Sequence, residues 1–173
     1  GAEVLARVIA FSTGARWHIE RPTPVEQLAP AWVDLDAVGY TDLGAAIDLL
    51  TAALRVPPME PRSFPPVVVL ISDGMPTDDY RAALGRLLDE PWGQRAIRAA
   101  VGIGREVDET VLARFTSPGV EPLLAFNPEQ LVRMIRWVSM HASKASSTPA
   151  VEPRFGVPAY IPIDSDSSEL TWE

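Results

Sequence analysis

Five apolar residues in a row, Val67-Val68-Val69-Leu70-Ile71, run without a break into Ser72-Asp73-Gly74. A run this short and β-branched, with Pro65-Pro66 before it and glycine after it, reads as a strand covered on both faces. Strands of that kind belong to parallel sheets flanked by helices, and the rest of the chain keeps to the same alternation. Residues 5–11, "LARVIAF", read as a buried strand. A short turn at Ser12-Thr13-Gly14 joins it to a second, alternating strand, "ARWHIE", at 15–20. The proline-punctuated segment 22–38 is irregular. From Asp42 to Leu54 the apolar residues Leu43, Ile47, Leu50 and Leu54 share one face of a helix. After a loop of prolines and the Val67–Ile71 strand, Asp78 or Asp79 caps a helix running to about Leu88, with Leu84, Leu87 and Leu88 inward. "RAIRAAVGIG" (95–104) is a further strand, and Asp108 opens a short helix carrying Val111, Leu112 and Phe115. "EPLLAF" (121–126) is a last strand. Asn127-Pro128, a cap followed by proline at the first helical position, starts a helix that buries Leu131, Ile135 and Val138. The expected class is therefore α/β, a three-layer α/β/α arrangement around a mostly parallel sheet, over residues 1–142. Residues 143–173 are rich in Ser, Pro and acids and read as a tail.

Charge narrows the function. The net charge is −8 and the pI about 4.8, so nucleic acid is excluded as a partner class, since phosphate binding needs a basic surface. Cations and basic partners fit better. The absence of cysteine rules out disulfides and thiolate metal sites and is compatible with the cytoplasm. No apolar run reaches membrane-spanning length, and no signal peptide is visible.

Ligands of open α/β sheets bind at the carboxyl ends of the strands, and Asp73 stands at such an end. A carboxylate at the tip of a buried strand is costly unless something pairs with it. Three aspartates, Asp73, Asp78 and Asp79, fall within seven positions. Taken singly, Asp73-Gly74 is a turn, "PTDD" (76–79) a capped helix start, and Thr41 the N-cap of the helix that follows it. Their order is more specific: Gly39-Tyr40-Thr41-Asp42-Leu43-Gly44 before a helix, a proline-rich loop, then a buried strand ending in Ser72-Asp73-Gly74.

In that order the sequence resembles the von Willebrand factor A domain over roughly residues 4–142. The family's metal-ion-dependent adhesion site joins an Asp-x-Ser-x-Ser loop, a Thr loop and an Asp loop. The resemblance places Thr41 in the second and Asp73 in the third. Within the family the chain is similar to TerY-type proteins of bacterial tellurium-resistance and stress-response clusters, through "VIAFST" (8–13), "ISDGMPTDDYRAAL" (71–84), "AVGIG" (100–104) and "FNPEQLVRMIRWVS" (126–139). The resemblance implies a Rossmann-like fold and a non-enzymatic protein-interaction module. It implies Mg2+ held through Thr41 and Asp73, and a partner whose acidic side chain completes the metal shell. The family's first strand and helix and its Asp-x-Ser-x-Ser loop have no counterpart ahead of Val4. The upstream region lies before Gly1 in the full protein, or the gene is truncated, or another segment substitutes. The candidate substitute is Asp164, Asp166 and Ser168 in "AYIPIDSDSSEL" (159–170), but Pro162 disfavours a central strand there and an acidic tail is the plainer reading.

Two other functions stay open. One is a metal-free scaffold with a degenerate site. The other is a magnesium-dependent phosphohydrolase using Asp73 as nucleophile, although Met75 occupies the place where such enzymes carry a second Asp. His18 and His141 are isolated and make no zinc site. Nucleophile-elbow and Walker patterns are absent. Trp17, Trp32, Trp92 and Trp137 read as packing residues.

Overall fold

A computed structural model describes residues 4–36 and 38–146, with the backbone alone for 137–139 and 141–146. The candidate ligands Asp164, Asp166 and Ser168, the side chains of Trp137, Val138 and His141, and most of the expected tail lie outside the described residues. The chain forms two compact units: residues up to Pro61 together with Pro76–Gln94, and Arg62–Met75 together with the chain from Arg95 onward.

In the first unit β1 (Leu5–Ser12) and β2 (Gly14–Pro24) pair as an antiparallel hairpin. Ser12 faces Gly14 across the turn, and Gly14 takes φ +75°, a left-handed conformation that favours glycine. β2 runs further than its alternating stretch, to Pro24, where a 3-10 turn (Val25–Gln27) and the short α1 (Leu28–Ala31) follow. α2 (Leu43–Leu54) packs on both strands of the hairpin and on α3 (Tyr80–Asp89). Its buried residues include Leu43, Ile47 and Leu54, three of the four on the apolar face, while Leu50 is half-buried. α3 contributes Ala83, Leu84 and the fully buried Leu87. Asp79 accepts from Ala82 N at 3.2 Å and caps α3, which decides between the two candidate caps. α4 (Pro91–Arg95) follows at once and buries Trp92. Trp17 is half-buried beneath the Arg7 guanidinium, 3.7 Å from its ring centre. Trp32 departs from a packing role: it is 45% exposed and meets the edge of His18.

The second unit is a parallel sheet, β3 (Val67–Ser72), β4 (Ile97–Ile103) and β5 (Leu123–Ala125), in the order β3-β4-β5. Helices cover both faces of β4, as alternate residues show. Ala99 and Val101 join Leu123 and Ala125 in a cluster packed against Val69 and against Leu131 and Met134 of α6 (Pro128–Ser146). On the other face, a Cβ at Gly102 would meet side-chain methyls of Leu112 of α5 (Glu109–Phe115), Val107 and Leu124 at 2.8–2.9 Å, so a larger residue there would force its neighbours to shift. Asp108 caps α5 through Thr110 N, and Asn127 caps α6 through Gln130 N, both at 2.8 Å. The strand buried on both faces is thus β4, not β3. In β3, which pairs only with β4 among the described residues, Val67 is 36% and Ile71 38% exposed. Asp73 is exposed as well, so its carboxylate stays in water and carries no burial cost. No helix among the described residues is long and apolar enough to cross a membrane.

Candidate functional site

Thr41 lies in the first unit, at the end of the loop that leads from α1 into α2. It is not the helix cap. Asp42 occupies the N-cap position of α2, and its side chain does not cap either. The orphan N–H groups of the first turn are taken by Asp78, a residue far along the chain. Asp78 Oδ1 accepts from Gly44 N at 2.8 Å and Oδ2 from Ala45 N at 2.9 Å. A carboxylate is well suited to that place, because the helix N-terminus carries partial positive charge. Its approach depends on residue 44 being glycine, since a Cβ there would sit 2.9 Å from Asp78 Oδ2 and 3.1 Å from its Cγ.

Asp42 ties the loops together in a different way. Its Oδ2 accepts from Gly14 N and its Oδ1 from the Thr77 hydroxyl, both at 2.7 Å. The Gly14 bond, followed by the Thr77 bond, holds the Asp42 carboxyl below its ordinary value. Thr77 also grips Thr41 from both sides. Thr41 N donates to Thr77 Oγ1 at 3.0 Å, and Thr77 N donates to Thr41 O at 2.9 Å. Asp42 N donates to Ser12 O at 2.9 Å, and Thr13 Oγ1 accepts from Tyr40 N at 3.3 Å. The Asp42 and Asp78 carboxylates are therefore engaged in holding the backbone and Thr77. The Thr41 hydroxyl carries no such bond among the described residues, so the loop is fixed while one hard oxygen donor is left available.

Asp73 lies in the second unit, directly after β3, with Ser72 buried before it. The Ser72 hydroxyl lies 3.4 Å from both the N–H and the carbonyl of Gly74, closing the local turn that "SDG" leads one to expect. Among the described residues no three His, Cys, Asp or Glu side chains are grouped so as to hold a metal. His18 is half-buried with its Nε2 fully enclosed and without a partner, beside Trp32 at 4.6 Å between ring centres.

Thr77 and Asp78, and the bridging role of Asp42, are what sequence reasoning did not assign to this loop system. The available signal was the Asp78-Asp79 doublet. One helix start needs one cap, so the second carboxylate had to serve elsewhere.

No protein-family profile matches the sequence, and no curated protein matches it significantly. Solved structures do match its fold. Proximal thread matrix protein 1 from the mussel byssus superposes with a TM-score of 0.61 at 20% identity, over 79% of this chain and 34% of that one. A form of that protein with a zinc-occupied MIDAS motif matches at 0.63 and 16% identity, over 76% of this chain and 34% of that one. A von Willebrand factor type A protein from Catenulispora acidiphila matches at 0.65 and 16% identity, over 81% of this chain and 34% of its own. The chain thus spans about a third of the length of these proteins. At such identities the likeness concerns architecture, and the architecture of this chain is that of the von Willebrand factor A, Rossmann-like α/β fold.

Proposed function

We propose that this chain is a non-enzymatic protein-interaction module assisted by a divalent metal, with Thr41 and Asp73 as its oxygen ligands. The observation that carries the reading is the Thr41 loop. Its backbone is clamped by Thr77 and its neighbouring acids are occupied, while its hydroxyl is uncommitted. The shared fold with a mussel protein whose MIDAS motif holds zinc supports a divalent ion. A hydroxyl and an exposed carboxylate are hard donors, which suits Mg2+, an ion that keeps several waters and takes few protein ligands. The metal, when bound, supplies a Lewis-acidic position for a carboxylate of the partner. This chain's own residues orient the donors and keep Asp42 and Asp78 from competing. A role in a TerY-type tellurium-resistance or stress-response system, in the cytoplasm, is the setting we propose for it.

Calorimetric titration with Mg2+ and Zn2+ tests the first half, and the donor count leads us to expect weak binding by this chain alone. Capture of partner proteins by the immobilised chain, with and without EDTA, tests the second. Capture should vanish with EDTA, in Thr41→Ala and in Asp73→Ala. Capture that survives all three would favour the metal-free scaffold, a reading that the lack of a three-ligand cluster among the described residues also supports.

A further inference from the structure

The first unit holds a groove of about 200 Å3 where the C-terminal half of α2 lies on the hairpin. It is lined by Arg7 of β1, Trp17 of β2, Leu49, Ala52 and Ala53 of α2, and Pro58 just beyond that helix. All six residues belong to one compact unit, so the groove follows from that unit's own packing. Arg7 is the one charged group in the lining. Its guanidinium lies 3.7 Å from the Trp17 ring centre, and its Nε donates to the Glu20 carbonyl. Stacking and that bond hold the group in place. Its two terminal nitrogens donate to nothing among the described residues, and no carboxylate there pairs with it. In a chain of net charge −8, Arg7 is thus a cation held without a counter-ion beside an apolar surface.

We propose that this groove binds a small apolar monocarboxylic acid, with its carboxylate on the terminal nitrogens of Arg7 and its body against Leu49, Ala52, Ala53 and Pro58. The two terminal nitrogens present parallel N–H donors that match the two oxygens of a carboxylate. The stack on Trp17 already orders the guanidinium, so little side-chain freedom is lost when the acid binds. An apolar lining with one anchoring polar group is the usual make-up of a small-molecule site. The groove is smaller than the roughly 300–1,000 Å3 of drug-sized sites, which limits the body to one aromatic ring or a short branched chain. A second carboxylate on the ligand would meet the apolar wall and lose its hydration without a partner, so a dicarboxylate is disfavoured. A bare phosphate would leave that wall uncovered.

The probe is 3-phenylpropionate, titrated into the full chain and followed by 1H–15N NMR. It should bind with a dissociation constant on the order of 0.1–1 mM and shift the signals of Arg7, the Trp17 indole, Leu49 and Ala53. 3-Phenylpropionamide has the body without the charge, and acetate has the charge without the body. Each should bind at least about tenfold more weakly than the acid. Arg7→Met keeps a stem over Trp17 and removes the fork, and Ala52→Phe fills the groove from an exposed helix position. Each variant should weaken binding of the acid by at least about tenfold with an unchanged far-UV circular dichroism spectrum. If Arg7→Met does not fold, Ala52→Phe and the comparison of acid with amide carry the test. No binding up to about 10 mM, equal binding of acid and amide, or undiminished binding by Arg7→Met or Ala52→Phe would each overturn the proposal. Acetate binding as tightly as the acid would reduce the groove to a general anion contact and overturn it too. A tetrapeptide ending in a free phenylalanine carboxylate should bind no better than 3-phenylpropionate. Tighter binding of that peptide would make the groove a reader of protein C-termini and reject the small acid as its ligand.

Discussion

Replacing Gly44 by alanine should have opposite effects depending on Asp78. In isolation the change favours the helix, because Gly44 has helical backbone and alanine is the better helix former by roughly 0.5–1 kcal/mol. In the intact protein, however, the new Cβ would lie 2.9–3.1 Å from the carboxylate of Asp78. Asp78 would have to leave the N–H groups of Gly44 and Ala45, which it holds at 2.8 and 2.9 Å. Losing such a cap costs roughly 0.5–2 kcal/mol, toward the upper end here because the acceptor is ionised and two donors are stranded. Gly44→Ala alone should thus destabilise by about 0.5–1 kcal/mol net. The same change made in Asp78→Ala should stabilise by about 0.5–1 kcal/mol, since only the propensity gain remains. Urea denaturation of the wild type, both single variants and the double variant gives the coupling directly. It should be about 1–2 kcal/mol, well above the scatter of independent sites. A Gly44→Ala variant that stabilises both backgrounds equally would refute the cap across the two loops.

Leu87→Ala should cost roughly 2–5 kcal/mol, because Leu87 is fully buried between helices and leaves a cavity, as a thermal or urea melt will show. Asp73→Ala should change stability by no more than about 0.5 kcal/mol, since the side chain is exposed, so any loss of partner capture in that variant reports on binding and not on folding. The lowered Asp42 carboxyl makes a contribution that is fully present above its ordinary value of 3.8 and is lost as pH falls through its lower folded value. The melting-temperature advantage of wild type over Asp42→Asn should therefore be flat near neutrality and shrink only in that acid window. An advantage that is unchanged down to the acid limit would exclude the Gly14 and Thr77 bonds as its source.

Much of this architecture was legible because local signals agreed with the fold. Asp108 and Asn127 cap where their positions say they should, and the three-four spacing of α2 faces inward. The misreadings share a cause. A run of apolar residues reports strand propensity but not position in a sheet, so "VVVLI" looked central while β4, with Arg98 and two glycines in or beside it, is the buried strand. Likewise, Thr41 looked like a cap because capping is usually local, whereas α2 borrows its cap from a residue 34 positions away. The Asp78-Asp79 doublet signals a spare carboxylate, but a single sequence does not say which N–H groups 34 positions away it serves. Thr41 and Asp73 were nominated through order and spacing. The residues that hold Thr41 in place became visible only with distances.

One joint in the second unit bears on how the chain meets proteases. The segment Thr116-Ser117-Pro118-Gly119 has the composition of a readily nicked surface loop. Yet Ser117 and Arg98 exchange hydrogen bonds at 2.9 Å, Ser117 Oγ donates to Ala96 O, and the Arg98 guanidinium donates to Phe115 O at 3.0 Å. Thr116 and Ser117 are buried in consequence, and this stretch behaves as an extra rung on β4 rather than as a loop. A protease cannot seat an extended substrate there until β4 itself opens, so cleavage at this point reports global unfolding. Among the described residues the exposed stretch Pro61-Arg62-Ser63-Phe64 has no such fastening, so in the native protein it should be cut before Thr116–Gly119 is.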